Sequence, residues 1–400
     1  LRWFMPQIVF YGLGAVATGL LNAHRKFAVP MFAQILNNVV VSATFFVFAV
    51  LPGPVVPTPD NITNLQRYVL AIGTTLGVVA MTVALWPSLR RVGFRFRWHW
   101  DLRDAGVRRI ARLAGWTFVY VVANQIGFLV IIVLAGRVQG GITAYQSAFI
   151  FFQLPHAIFA VSIMTALLPS LSSRWTDRDA EGFRRLLTQG IRGTAFIVVP
   201  AAFGYLALAT PVVRLLLQHG VMQSQSTRLL AHVLVYFSIG LFSFSSFQLL
   251  LRAFYAMQDT RTPALINIAA VIVNTAANVV FFRYLQVEGL ALGHATAYTF
   301  ASVVATAILS RRLGGLPWRS LGQALGRILV AGAATGAAAW AVSRAIEGSM
   351  GATGLFAELV QVLGGVATGL LAFVMVARAF RLDEVDMIKR LVTERFRRTR

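Results

Sequence analysis

The sequence predicts an all-α polytopic membrane protein. Composition, the length of its uncharged runs and the placement of its basic residues carry that prediction. Of 400 residues, 57% are hydrophobic and 12% charged, and the mean hydropathy is +0.70. A soluble domain carries about 25% charge. Apolar runs recur at the roughly 20 residues a helix needs to cross the hydrocarbon core. The short alternating segments of a membrane barrel are not seen.

Taken in order, the runs give eleven spans, at 4–22, 30–51, 66–87, 113–135, 142–169, 189–210, 227–251, 262–283, 288–309, 321–344 and 354–377. If the loop Asn22–Val29 faces the cytoplasm, the loops on that side and the tail from Arg378 hold 27 Lys/Arg, against 6 on the opposite side. Basic loops stay inside, so the C-terminus is cytoplasmic. The same bias accounts for the net charge of +22 without a nucleic-acid partner. Lys26 and Lys389 are the only lysines; with abundant Ala, Val and Gly, that points to a GC-rich bacterial genome. The lack of cysteine excludes disulfides, thiolate catalysis and Cys-ligated metal. No clustered His or carboxylates mark a catalytic site, and an enzyme is not expected.

Three basic segments read as interfacial helices. Asp101 can cap one with Leu102, Ala105, Ile110 and Leu113 facing lipid. Thr176 with Asp179 resembles a capping box for another, carrying Phe183 and Leu187. The tail places Val385, Ile388, Leu391 and Val392 on one face. Such basic faces bind anionic membrane lipids.

Two loops on one side look alike. In Leu21–Pro30 and in Phe254–Pro263, an Ala ending one span lies seven residues before a Pro that starts the next. Asparagines follow in both, at Asn37 and Asn38 and at Asn267 and Asn274. Six spans separate the loops, so the copies run in the same direction, a known transporter arrangement. The second copy has more helix before its loop than the first. The repeat therefore places three further helices, about 110–120 residues, before Leu1. The expected organisation is half a first lobe at 1–87, a cytoplasmic amphipathic linker at 88–112, a six-span second lobe at 113–312, two extra spans at 313–380 and a basic tail at 381–400.

Arg2–Pro6 with Tyr11-Gly12, Leu21-Asn22-Ala23, Phe27, Pro30 and Asn37-Asn38 resembles the MurJ (MviN) lipid II flippase family. So do Ala166–Ser172, Arg252–Ala256 and Asp259–Pro263. The resemblance implies a two-lobed bundle like that of multidrug and toxin exporters, with two extra C-terminal helices. It implies a transporter that flips an undecaprenyl-linked peptidoglycan precursor by alternating access in the bacterial cytoplasmic membrane, and cell-wall synthesis proteins as partners. The family's groove for the lipid tail belongs to the last two helices, here 321–344 and 354–377. The alternatives are a polysaccharide-lipid flippase or drug exporter of the same fold, and a non-transporting scaffold for cell-wall enzymes.

A polar residue inside a span is a functional candidate. Asn267, Asn274 and Asn278 recur at i, i+7 and i+11 and form one stripe. They line a cavity or act as interhelical hydrogen-bonding glue. The resemblance makes Asn274 and Asn278 the remnant of a cation site, with coupling to a monovalent cation or to membrane potential and no cofactor. Asn124 and Gln125 sit mid-span. Gln153 and His156 flank Pro155, which should break the helical ladder. Phe149 and Ile150 stand where many family members carry an Asp-Arg pair. Arg252, Asp259 and Arg261 lie at one cytoplasmic mouth, where Asp259 can pair with either Arg, and Arg25 and Lys26 lie at the matching mouth. They form a gate or attract an anionic headgroup.

Overall fold

Runs of Leu, Val, Ala and Phe become helices here because, in lipid, each backbone N–H must find its carbonyl within the same segment. The computed structural model describes residues 3–24, 26, 28–54, 61–94, 105–217, 224–350, 354–382 and 384; every element among them is helical. The chain divides into two compact units, Leu1–Leu102 and Arg103–Arg400.

The first unit holds α1 (Met5–Ala23), α2 (Ala28–Val50), α3 (Asn64–Ala84) and the short α4 (Trp86–Arg91). α3 starts where Thr63 and Gln66 cap each other reciprocally, at 3.1 and 3.2 Å. It meets α2 through Gly73 and Gly77: a Cβ on either would strike Thr44 or Asn37. It meets α1 through Gln7 and Thr75, 3.0 Å apart, and through Thr82, which donates to the Phe10 carbonyl at 3.1 Å. Ala17, Leu21, Ala33, Leu85 and Leu89 fill the space between.

The second unit holds α5 (Ala105–Ala135), α6 (Gly141–Pro155), α7 (Val161–Thr176), α8 (Ala180–Leu217), α9 (Ser224–Ile239), α10 (Leu241–Ala256), α11 (Arg261–Arg312), α12 (Trp318–Met350) and α13 (Leu355–Ala379). A single π-helical turn, His156–Ala160, joins α6 to α7. Between α9 and α10 the axis bends by 51°. Gly240 sits at that bend because the Ala295 backbone of α11 comes so close that a Cβ would overlap it. α11 is broken at Gln286 (φ 49°, ψ −124°), and its two arms fold onto one another. Gly289 lies on the Phe281 carbonyl and Gly293 on the Asn278 carboxamide. Phe152, Phe183, Phe237, Phe247 and Phe254 fill the core.

Two expectations change and a third, the number of spans, is not confirmed. The surface helix predicted to carry Phe183 and Leu187 is not separate from span 189–210; both belong to the 38-residue α8. Phe183, Leu187 and Ile191 form one buried stripe across the expected boundary, so these side chains face the core rather than lipid. The cap is Asp179 itself, whose Oδ1 accepts from the Gly182 N–H at 2.8 Å, while Thr176 donates back to Ser172 within α7. Asp101, Leu102 and the tail face from Val385 lie outside the described residues. Finally, seven described helices are long and apolar enough to cross a membrane, or eight with the bent pair. That measure counts α11 once, passes over α1 and does not reach eleven.

Candidate functional site

Four of the expected carboxamides converge. Asn124 and Gln125 of α5 and Asn267 and Asn274 of α11 line one cavity of about 270 Å³. Tyr145 and Phe149 of α6 and His294 and Tyr298 from the second arm of α11 complete it. The Asn267 Nδ2 is buried without a hydrogen-bond partner. Asn278 is fully buried behind this wall and donates to the Asn274 Oδ1 at 2.9 Å. Its own Oδ1 has no partner. This pair thus commits one carboxamide oxygen internally and brings no carboxylate, a poor donor set for a dedicated cation site. Among the described residues no group of three or more His, Asp or Glu is placed to hold a metal.

Phe149 forms part of the cavity wall where the resemblance implies an acidic or basic residue, and Ile150 is exposed, 63% accessible, on the other face. This wall is aromatic. His294 stands in a cage of Phe149, Phe152, Phe237, Phe244 and Tyr298, with ring centroids 4.5 to 5.9 Å away, and its Nε2 is unpartnered.

Gln153 and His156 do not reach the cavity. The His156 Nδ1 lies 3.0 Å from the Ser245 Oγ, and its ring meets Phe244 edge-on. Pro155 does disturb the ladder as its chemistry requires. Lacking an N–H, it cannot serve the carbonyl of Phe151 one turn earlier. That carbonyl accepts from the Tyr205 hydroxyl of α8 at 2.7 Å, and the chain beyond Pro155 widens into the π turn.

An apolar groove of about 670 Å³ opens on the same side of α8. Pro155, Phe159, Phe196, Tyr205, Leu208, Gly365, Gly369 and Phe373 are among its walls, and Arg378 is its one charged residue. It exists because glycines let α12 and α13 approach closely: Gly332 and Gly336 lie on Phe203 of α8, Gly365 on Leu208, and Gly369 on Thr335.

At the expected mouth, Asp259 does pair with an arginine, and the ion pair at 2.6 Å is with Arg312, which the sequence reading did not name there. The second arm of α11 returns to the end where the first began and brings Arg312 there. Asp259 also accepts from the Thr262 N–H at 2.9 Å and its hydroxyl at 2.6 Å. Burial works against ionisation of Asp259, but the Thr262 and Arg312 hydrogen bonds prevail and hold its carboxyl below the ordinary range. Lys26 is exposed, and Arg25 lies outside the described residues.

The sequence profile described as lipid II flippase MurJ matches residues 1–380. The chain belongs to this family. A lipid II flippase MurJ of Burkholderia cenocepacia is 32% identical over 300 residues, covering 73% of this chain and 55% of that protein. A probable lipid II flippase MurJ of Haemophilus influenzae is 28% identical over 345 residues, covering 84% and 64%. The chain thus spans between about half and two thirds of these relatives' length. Among solved structures, a lipid II flippase MurJ in an inward closed conformation superposes with a TM-score of 0.72 at 21% identity, over 95% of this chain and 73% of that one. An inward-facing multidrug-resistance transporter of the MATE family superposes at 0.63 and 15%, over 81% and 71%. Both show the fold. His294, Tyr298, Tyr205 and Arg312 are the residues the sequence reading passed over. An intramembrane His was a readable signal; the partner of Tyr205 was not.

Proposed function

We propose that the chain works in flipping a lipid-linked peptidoglycan precursor from the inner to the outer leaflet of the bacterial cytoplasmic membrane by alternating access. Family membership supports the substrate class, and the charge distribution supports a cytoplasmic C-terminus. The groove walled by α8, α12 and α13 carries the reading furthest, since an apolar trough and a polar cavity in the same unit suit an amphiphile with a long tail. The tail lies in the groove and keeps its contact with hydrocarbon. The carboxamides of Asn124, Gln125, Asn267 and Asn274 hydrogen-bond the headgroup. Coupling to membrane potential suits this wall better than a bound cation, because the Asn274 oxygen is already taken by the Asn278 amide and neither residue brings a carboxylate.

Reconstitution tests it. Vesicles containing the protein should expose a fluorescent lipid-linked precursor to an external enzyme faster than empty vesicles. Val366→Trp, which fills the groove from an exposed position on its wall, should slow this at unchanged membrane abundance. Equal rates for parent and variant would remove the groove from the mechanism. The aromatic wall at Phe149 supports a second reading, a scaffold without transport, which predicts no acceleration by the parent protein.

A further inference from the structure

A second polar recess lies on the same three helices as the groove, at the end carrying Arg378. Arg192 of α8, Ser320, Gln323 and Arg327 of α12, and Arg381 just past α13 surround a pocket of about 100 Å³. That is room for a few waters or one tetrahedral oxyanion. Arg192 is held from behind by Glu384 at 2.5 Å, whereas no carboxylate pairs with Arg327 or Arg381 among the described residues. The backbone presents Arg381 at a conformational cost. α13 ends in a Schellman cap, with the Arg381 N–H on the Arg378 carbonyl and the Leu382 N–H on the Ala377 carbonyl, both at 3.0 Å. The pivot of such a cap is usually glycine, yet here an arginine adopts φ 49°.

We propose that this pocket binds a phosphate group, carried by an anionic lipid of the leaflet that the charge distribution places inside. Two guanidiniums, a hydroxyl and a carboxamide match phosphate oxygens, and a basic recess between helices at the cytoplasmic surface is where an anionic headgroup gains most. The phosphate bridges Arg327 to Arg381 and so ties α12 to the end of α13, closing the lower end of the groove. The pocket rests on the proposed orientation but not on flipping, so its occupancy can be tested where no transport occurs.

The full chain is melted in phosphatidylcholine nanodiscs and in discs doped with phosphatidylglycerol. The dopant should raise the melting temperature of the parent. Arg327→Gln combined with Arg381→Gly should bring that increment close to zero. Arg381→Gly alone relieves the backbone, so it should melt in pure phosphatidylcholine no lower than the parent, yet with a smaller lipid increment. Misfolding cannot imitate that combination. Arg319→Gln, a neighbouring cation outside the pocket, should keep the full increment. Inorganic phosphate added to undoped discs separates the sources: equal protection by millimolar phosphate marks a free-phosphate site, and protection by the lipid only marks a headgroup site. An increment that survives the double substitution, or that Arg319→Gln removes equally, overturns the pocket.

Discussion

At the residue scale, the polar groups were the readable part of the site. Asn124, Gln125, Asn267 and Asn274 stand out against apolar spans and do meet in one cavity. Asn278 belongs to the same stripe, yet it faces Gly293 on the returning arm, which a helical wheel of one arm cannot reveal. A Cβ at Gly293 would lie 2.1 Å from the Asn278 Oδ1. Gly293→Ala should therefore destabilise the protein by about 1–3 kcal/mol, seen as a lower melting temperature in detergent. Asn278→Ala added to it should recover much of the loss. Tyr205→Phe strips the Phe151 carbonyl of its donor; an unpaired buried group costs about 1–3 kcal/mol, and thermal melting would show it. Asp259 carries the pH prediction. Its folded carboxyl ionises below the ordinary value near ~3.9. The stabilisation it gives the loop is thus complete above that value and lost as pH falls through the lower, folded value. Amide exchange at the Thr262 N–H should accelerate there, measured against intrinsic acid-range rates, while Asp259→Asn should show weak protection with no acid step.

At the element scale, helix positions were legible from hydropathy, and close packing was written in the sequence as well. Glycines four apart recur at 73 and 77, 289 and 293, 332 and 336, and 365 and 369. Each pair lies where another segment packs too closely for a side chain. The bends were only partly legible. Pro155 announced its break. The turn at Gln286, with no Gly or Pro to mark it, falls in the 284–287 gap that hydropathy leaves between two spans, although its positive φ was not foreseen. Holding a glutamine at φ 49° costs about 1–3 kcal/mol. Gln286→Gly should raise the melting temperature and Gln286→Val should lower it. Equal melting of both variants would mean that the turn carries no strain.

At the scale of the whole molecule, charge asymmetry predicts an orientation that helix geometry alone does not. A cysteine at Thr58 should react with an impermeant thiol reagent in intact cells, and one at Gly93 should not; the reverse pattern would invert the topology. The division of the chain falls within 88–112, where the sequence changes from apolar to basic. Span number was less legible. Tallied one helix at a time, the described residues give seven or eight spans, with the two arms of α11 counted as one.

The fold-back of α11 bears on biosynthesis. The first arm carries Asn267, Asn274 and Asn278, an awkward face to release into hydrocarbon as the ribosome extends the chain. Gly293 on the second arm receives the most deeply buried of these carboxamides. The nascent chain thus holds part of the cover for that side chain within the same hairpin, just past the turn at Gln286. The two arms suit joint exit from the insertion machinery, with the first retained until the second has been made.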